Sequence, residues 1–300
     1  MTSFRILLAL AVSAPLCGAA WAQEGTLKKI KDSGAITIGH RDASIPFSYY
    51  DDKQQPIGYS MEICGKVVDA LKAELKMPKI EIKHQLVTSA NRIPLMANGT
   101  IDLECGSTTN NLERQKQVWF AVTTFVTANR LVAKKASKIQ KLDDMKGKTI
   151  VSTAGTTNIK QITELNTARN LGMNIVSANG HSESFLMVET GRAVAFAMDD
   201  ILLAGLVAVS KSPADYAIAP EALSVEPYGM MVRKDDAAFK KAVDDAIVGV
   251  FKSGEINKIY AKWFQSAVPP KGVNLGWPMS PQLKKVIANP TSSGDPKDYQ

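Results

Sequence analysis

The spacing of apolar and polar positions predicts strands alternating with helices along most of the chain. Thr26 to Asp32 has helical periodicity and is closed by Gly34, and Ala35 to Gly39 follows as a strand. Val67, Val68 and Leu71 share one face of a longer helix, about Met61 to Leu75, opened by Ile57-Gly58-Tyr59. Ile80 to Leu86 alternates as a strand does. Ser89 is placed to cap a helix that stops at Gly99, and Ile101 to Glu104 is the next strand. Asn110 and Glu113 have capping-box-like spacing and predict another helix start.

Phe125 to Lys134 then reads as one long strand, followed by a lysine-rich link. Thr149 to Ser152 is a strand, and Gly155-Thr156-Thr157 opens a helix. A further helix runs from about Ser182 to Thr190 and ends at Gly191. Val194 to Met198 is an apolar strand with Asp199 at its carboxyl end. Such alternation predicts α/β domains with mainly parallel sheets. The polar tail from Asn289, with Pro, Ser and Gly, is expected to be loose.

The first 22 residues break this pattern and read as a signal peptide. Arg5 supplies the positive region, Ile6 to Ala14 the apolar region, and Ala20-Trp21-Ala22 the cleavage site. Leu16 before Cys17 disfavours a lipoprotein anchor. About 278 residues remain, enough for two domains, and no later stretch has 18 apolar residues in a row. The mature chain is therefore expected to be a soluble, exported protein. Hydrophobic residues make up 45% of the chain, which excludes a disordered protein. The net charge of +7 is carried by scattered lysines without interleaved aromatics, so nucleic acid is not expected as a partner. Two cysteines, Cys64 and Cys105, remain in an oxidising compartment and suggest one disulfide. His40, His84 and His181 show no ligand spacing with them, so no metal and no cofactor is expected.

Five segments carry polar chemistry at predicted element ends. Arg41 follows the first strand, where ligands of open α/β sheets bind; a plain surface arginine is the alternative. Ser89 and Arg92 lie at a helix start, where a cation opposes the macrodipole and a bound anion would account for it. Glu104 to Arg114 brings hydroxyls, free amides and a guanidinium together, a set suited to a carboxylate; a capped helix with an incidental arginine is the other reading. Ser152 to Thr157 is a strand-to-helix turn without the Gly-Lys-Ser/Thr of a phosphate loop. Asp199 can accept from an ammonium group, although Asp200 beside it suits helix capping. No nucleophile–base pair and no Gly-x-Ser-x-Gly elbow is present, so the set binds better than it reacts.

At these segments the chain resembles the periplasmic glutamate/aspartate-binding proteins of ABC transporters, within the type II solute-binding family. The resemblance runs through Gly39-His40-Arg41, Pro46 to Asp51, Thr88 to Leu95, Glu104 to Asn111, Gly191 to Asp200 and Trp263-Phe264. It implies two α/β lobes joined by two crossover strands, with ligand in the cleft. The first lobe would be 23–125 plus 226–300, and the second 126–225. It also implies that Arg114, with Ser107, Thr109 and Thr157, holds an α-carboxylate, and that Asp199 pairs with the α-ammonium. Arg41, Ser89, Arg92 and His181 would surround a side-chain carboxylate. The implied partners are L-glutamate or L-aspartate and a transmembrane permease, with the protein a monomer and not an enzyme. Two other classes share the fold. A dehydratase would need a general acid aimed at a leaving hydroxyl, and a ligand-sensing module would dock on a receptor.

Overall fold

The computed structural model describes residues 25–300, so the signal-peptide reading of residues 1–22 lies outside the described residues. Two five-stranded sheets organise the chain. The first has the order Glu81–Leu86, Ala35–His40, Leu103–Glu104, Met231–Arg233, Val118–Phe120. The second has the order Asn174–Ala178, Thr149–Thr153, Ala195–Asp199, Asn129–Lys134, Tyr216–Ile218. In each sheet four strands run one way and one opposes them: Met231–Arg233 in the first, Asn129–Lys134 in the second. The mainly parallel expectation therefore holds, with one defined exception per sheet.

The exceptions follow from how the chain changes lobe. It leaves the first through Phe125–Thr127 and returns through Glu226–Tyr228, and these two crossover strands pair antiparallel. Each opposing strand is the first strand laid down after a crossing. It enters its sheet from the cleft, where the carboxyl ends of the parallel strands lie, and so runs against them. This also corrects the single long strand expected over Phe125 to Lys134. It is two strands, broken at Ala128 and serving different sheets. Both pieces are largely buried, so the apolar run does not reveal the change of partner.

Rings pack around the crossover pair. Phe125 stacks on Phe264 with centroids 5.0 Å apart, and Phe47 meets Phe125 at 4.8 Å. Tyr228 lies opposite Phe125 in the pair and is likewise buried. The disulfide is formed: Cys64, in the helix Tyr59–Glu74, bonds Cys105 just after Leu103–Glu104, with Cα atoms 6.3 Å apart.

The strand Glu81–Leu86 forms as expected; it lies at a sheet edge and is exposed at every residue. The tail from Asn289 is packed, not loose. Tyr299 is 1% exposed among Val126, Val225 and Val286, and its hydroxyl lies 2.8 Å from Thr123 Oγ1. One buried ring anchors a segment whose average composition looks unstructured.

Candidate functional site

Two predicted caps do other work. The helix after Ser89 begins only at Arg92, spanning Arg92–Ala97 with Asn91 at its cap position. Thr88 and Asn91 bond each other, the Thr88 N–H donating to Asn91 Oδ1 at 2.7 Å. Ser89 is thus no cap, and its buried Oγ has no partner among the described residues. Near Asn110 and Glu113 there is no α-helix, only the 3-10 turn Arg114–Lys116. The Asn110 amide instead donates to the carbonyls of Ser292 and Ser293 at 2.9 and 3.0 Å. A residue 182 positions away outbids the local cap, and local spacing does not register that.

The first lobe contributes three buried guanidinium groups. Arg41 is 1% exposed at the end of Ala35–His40, and its Nη2 lies 3.5 Å from His181 Nε2. Arg92 donates through Nη1 to Thr108 Oγ1 at 2.6 Å and to the Ser107 carbonyl at 3.3 Å. The Thr108 hydroxyl passes the chain on to Glu104 Oε2 at 2.7 Å. Glu104 is fully buried and its field acts on both Arg41 and Arg92. Gly106 gives it room: a Cβ there would come within 2.2 Å of Glu104 Oε1 and 3.1 Å of Arg41 Cγ. Arg114 donates to the Thr109 carbonyl at 2.7 Å and across the cleft to the Gly155 carbonyl at 3.2 Å.

The second lobe supplies the complement. Thr153 ends its strand, Thr156 caps the helix Thr157–Ala168, and the first N–H groups of that helix have no intrahelical acceptor. The Thr157 hydroxyl donates to Glu226 Oε2 at 2.8 Å, so the hydroxyl's proton is not free for a ligand carboxylate. Asp199 Oδ1 accepts from Asn158 Nδ2 at 2.7 Å, and Oδ2 accepts from the Tyr228 hydroxyl. Its neighbour Asp200 takes the Ile201 N–H at 2.8 Å, which leaves the Asp199 side chain to the cleft. His181 starts the helix His181–Glu189, and its Nδ1 lies 2.9 Å from Thr153 Oγ1.

Burial sets the charge states. It lowers Arg41 to about 10 and Arg114 to about 9, in each case with help from the charge of Arg92, and it lowers Arg92 as well. Arg41 and Arg114 stay cationic at neutral pH. Burial, then Arg41 and Arg92, hold His181 well below 6.5, so the imidazole is neutral. Burial, with the nearby Glu226 carboxylate, raises Asp199 to about 7. Desolvation disfavours whichever form of a group is charged, and both directions of shift express it.

Ser89, Arg92, Ser107, Thr109, Thr157, His181 and Asp199 line one small, nearly closed cavity, with a volume of about 10 Å³. Arg41 and Arg114 do not line it: Arg41 lies behind His181, and Arg114 spans from the Thr109 carbonyl to the Gly155 carbonyl. Six buried polar atoms around it lack a partner among the described residues: Arg41 Nε and Nη1, Arg92 Nε, Ser89 Oγ, Ser107 Oγ and Glu104 Oε1. Five of these can donate, a set suited to an anion with several acceptor oxygens. Sequence reasoning missed Thr108, Asn158, Tyr228 and Glu226, and gave Glu104 no role of its own. Asn158 could have been found beside Thr157 in the same turn. Tyr228 and Glu226 carry no local signal, since the crossover pairing alone brings them to Asp199 and Thr157.

The profile of the bacterial extracellular solute-binding proteins, family 3, matches residues 36–266. The L-glutamate/L-aspartate-binding protein of Pseudomonas aeruginosa is 55% identical over 289 residues, covering 95% of this chain and 96% of that one. The glutamate/aspartate import solute-binding protein of Escherichia coli is 46% identical over 287 residues, covering 95% of each chain. Among solved structures, an ancestral arginine-binding protein bound to arginine superposes with a TM-score of 0.69 at 27% identity, over 77% of this chain and 98% of its own. Taken with the two-lobe fold, its paired crossover strands and the polar cavity between the sheets, these likenesses show that the chain belongs to the bacterial extracellular solute-binding proteins, family 3.

Proposed function

We propose that this protein captures L-glutamate or L-aspartate between its lobes and delivers it to the transmembrane permease of an ABC importer. The names of its relatives from Pseudomonas aeruginosa and Escherichia coli support the ligand class. The observation that carries the reading is the charge pattern of the cavity. Arg114 and Asp199 answer the carboxylate and ammonium common to all amino acids. At the other end two buried guanidinium groups, Arg41 and Arg92, face one buried carboxylate, Glu104, while Glu226 acts on Arg114 and the exposed Asp42 adds a field on Arg41. An acidic side chain supplies the matching charge and accepts from the unpaired Arg41, Arg92, Ser89 and Ser107 donors. Thr157 would serve through its backbone N–H, because its hydroxyl is committed to Glu226. The relatives' names as solute-binding proteins also speak against a dehydratase. The proposed lobes are 23–125 with 226–300, and 126–225, a division that strand membership of the two sheets supports among the described residues.

Binding would close the lobes, because each holds part of the polar set. Gly155 meets the Ser89-Ala90 backbone at φ +75°, and a Cβ there would lie 2.5 Å from Ala90 Cα. Gly155→Val should therefore hold the lobes apart. Small-angle scattering should show glutamate compacting the parent protein but not this variant. Equal compaction in both would remove Gly155 as the point of closure, and none in the parent would remove closure itself.

Affinity should also depend on pH. The ammonium of the ligand needs ionised Asp199, which in the free protein titrates near 7. Affinity should rise with pH up to about 7 and then level, falling up to about tenfold per unit below. Stability of the free protein runs the other way. Between 3.8 and about 7 the folded chain keeps a proton that the unfolded chain has lost, so this contribution falls as pH rises. Calorimetric titration with glutamate at pH values on either side of 7 tests the first trend, and a flat profile would contradict it.

A further inference from the structure

The family profile ends at residue 266, yet the chain beyond it reaches the loop that carries Arg114. That loop has two supports. On the inner side, the Asn110 N–H donates to the Pro227 carbonyl at 2.7 Å, and Thr109 bridges to Tyr228 on the crossover strand. On the outer side lies the segment 291–299. Asn110 Nδ2 donates to the Ser292 and Ser293 carbonyls, and Gln115 Nε2 donates to the Ser292 carbonyl at 3.1 Å and to Asn110 Oδ1 at 2.8 Å. Gly294 lies flat on the loop, and a Cβ there would come within 2.8 Å of Asn111 C and Leu112 N. The Tyr299 hydroxyl donates to the Ser293 carbonyl at 2.8 Å, and the Thr123 N–H donates to the Thr291 carbonyl at 2.8 Å. The segment is thus fastened to the start of the crossover and to the loop at once.

We propose that residues 291–299 form a positioning strap that holds the 109–115 loop, and through it Arg114, in the geometry that grips the ligand carboxylate. No strap residue lines the cavity itself, although Pro296 lines an adjoining cleft with Thr109 and Thr157. Its work is to fix a loop that has only a three-residue 3-10 turn of its own. A long arginine side chain reaching across the cleft keeps its aim only if its backbone is fixed, and here the fixing comes from the far end of the chain. This inference rests on the reading of Arg114 as the carboxylate anchor shared by all amino-acid ligands.

The consequence is a loss of affinity without loss of selectivity. Gly294→Val should lift the strap from the loop. Affinities for glutamate, aspartate and glutamine should then fall by a common factor of about tenfold, the worth of one or two hydrogen bonds. Hydrogen exchange of amides 109–115 in the ligand-free protein should quicken while the helices of both lobes keep their protection. Affinities within about twofold of the parent, a loss confined to the acidic ligands, or unchanged exchange in 109–115 would each overturn the proposal. Should Gly294→Val fail to fold, Tyr299→Phe removes one hydroxyl at constant ring packing. It should give the same pattern at about threefold, and no change in either measurement would be equally decisive. If the parent binds none of these amino acids, the proposed function falls, and the exchange of the loop alone decides the strap.

Discussion

Replacing Arg114 by alanine should weaken glutamate, aspartate, glutamine and asparagine alike, by about 100-fold or more. The proposed partner of Arg114 is the α-carboxylate, which all four ligands present. Truncation would leave that carboxylate in a buried cleft with its charge unmatched, and losing one member of a buried charged pair costs about 2–5 kcal/mol. Arg92→Ala should behave differently. Arg92 joins Ser107, Thr108 and Glu104 at the opposite end of the cavity, where Arg41 is the other cation. Without it, Glu104 faces Arg41 alone, and the second cation at this end is gone. Glutamate and aspartate should lose about 30-fold or more, while glutamine and asparagine should change little. Titrating the four ligands into the parent and both variants gives the needed ratios. A parent that binds glutamine as tightly as glutamate, or an Arg92→Ala variant with an unchanged ratio, would show that the side-chain subsite is misassigned.

Reduction of Cys64–Cys105 should cost the protein about 4 kcal/mol. The bond spans 41 residues, and a loop of that length gives this value for the entropy removed from the unfolded chain. The corresponding fall in thermal midpoint is about 7 °C for a chain of this size, at about 2.1 cal/mol/K of unfolding entropy per residue. The bond also fastens the helix Tyr59–Glu74 to the chain just before Gly106 and Ser107, so the first-lobe side of the cavity should loosen with it. Calorimetric melting with and without reductant measures the effect. A shift of less than about 3 °C would mean that packing around the two buried cysteines already holds the turn. Alkylation that finds two free thiols in the unreduced protein would remove the claim altogether.

Much of this could be read from the sequence because the physics is local. The period of apolar residues fixed the main helices and strands, and the α/β class followed from their alternation. Polar residues at strand ends, such as Arg41 after Ala35–His40 and Asp199 after its apolar strand, marked the cleft, because parallel strands deliver their carboxyl ends to one side. Two cysteines in an exported chain had one way to pair. What the sequence left undecided depends on contacts between distant residues. Ser89 and Asn110 looked like helix caps, but the Thr88–Asn91 pair moves the first helix start and the distant Ser292 and Ser293 carbonyls take the Asn110 amide. The run from Phe125 to Lys134 looked like one strand, since burial on both sides of Ala128 gives one unbroken signal. Tyr228 and Glu226 reach Asp199 and Thr157 only through the antiparallel crossover pair. The polar tail is ordered because Tyr299 finds a buried place beside Thr123. Local periodicity reports which face of an element is buried, whereas the identity of the partner is settled only when the whole chain has folded.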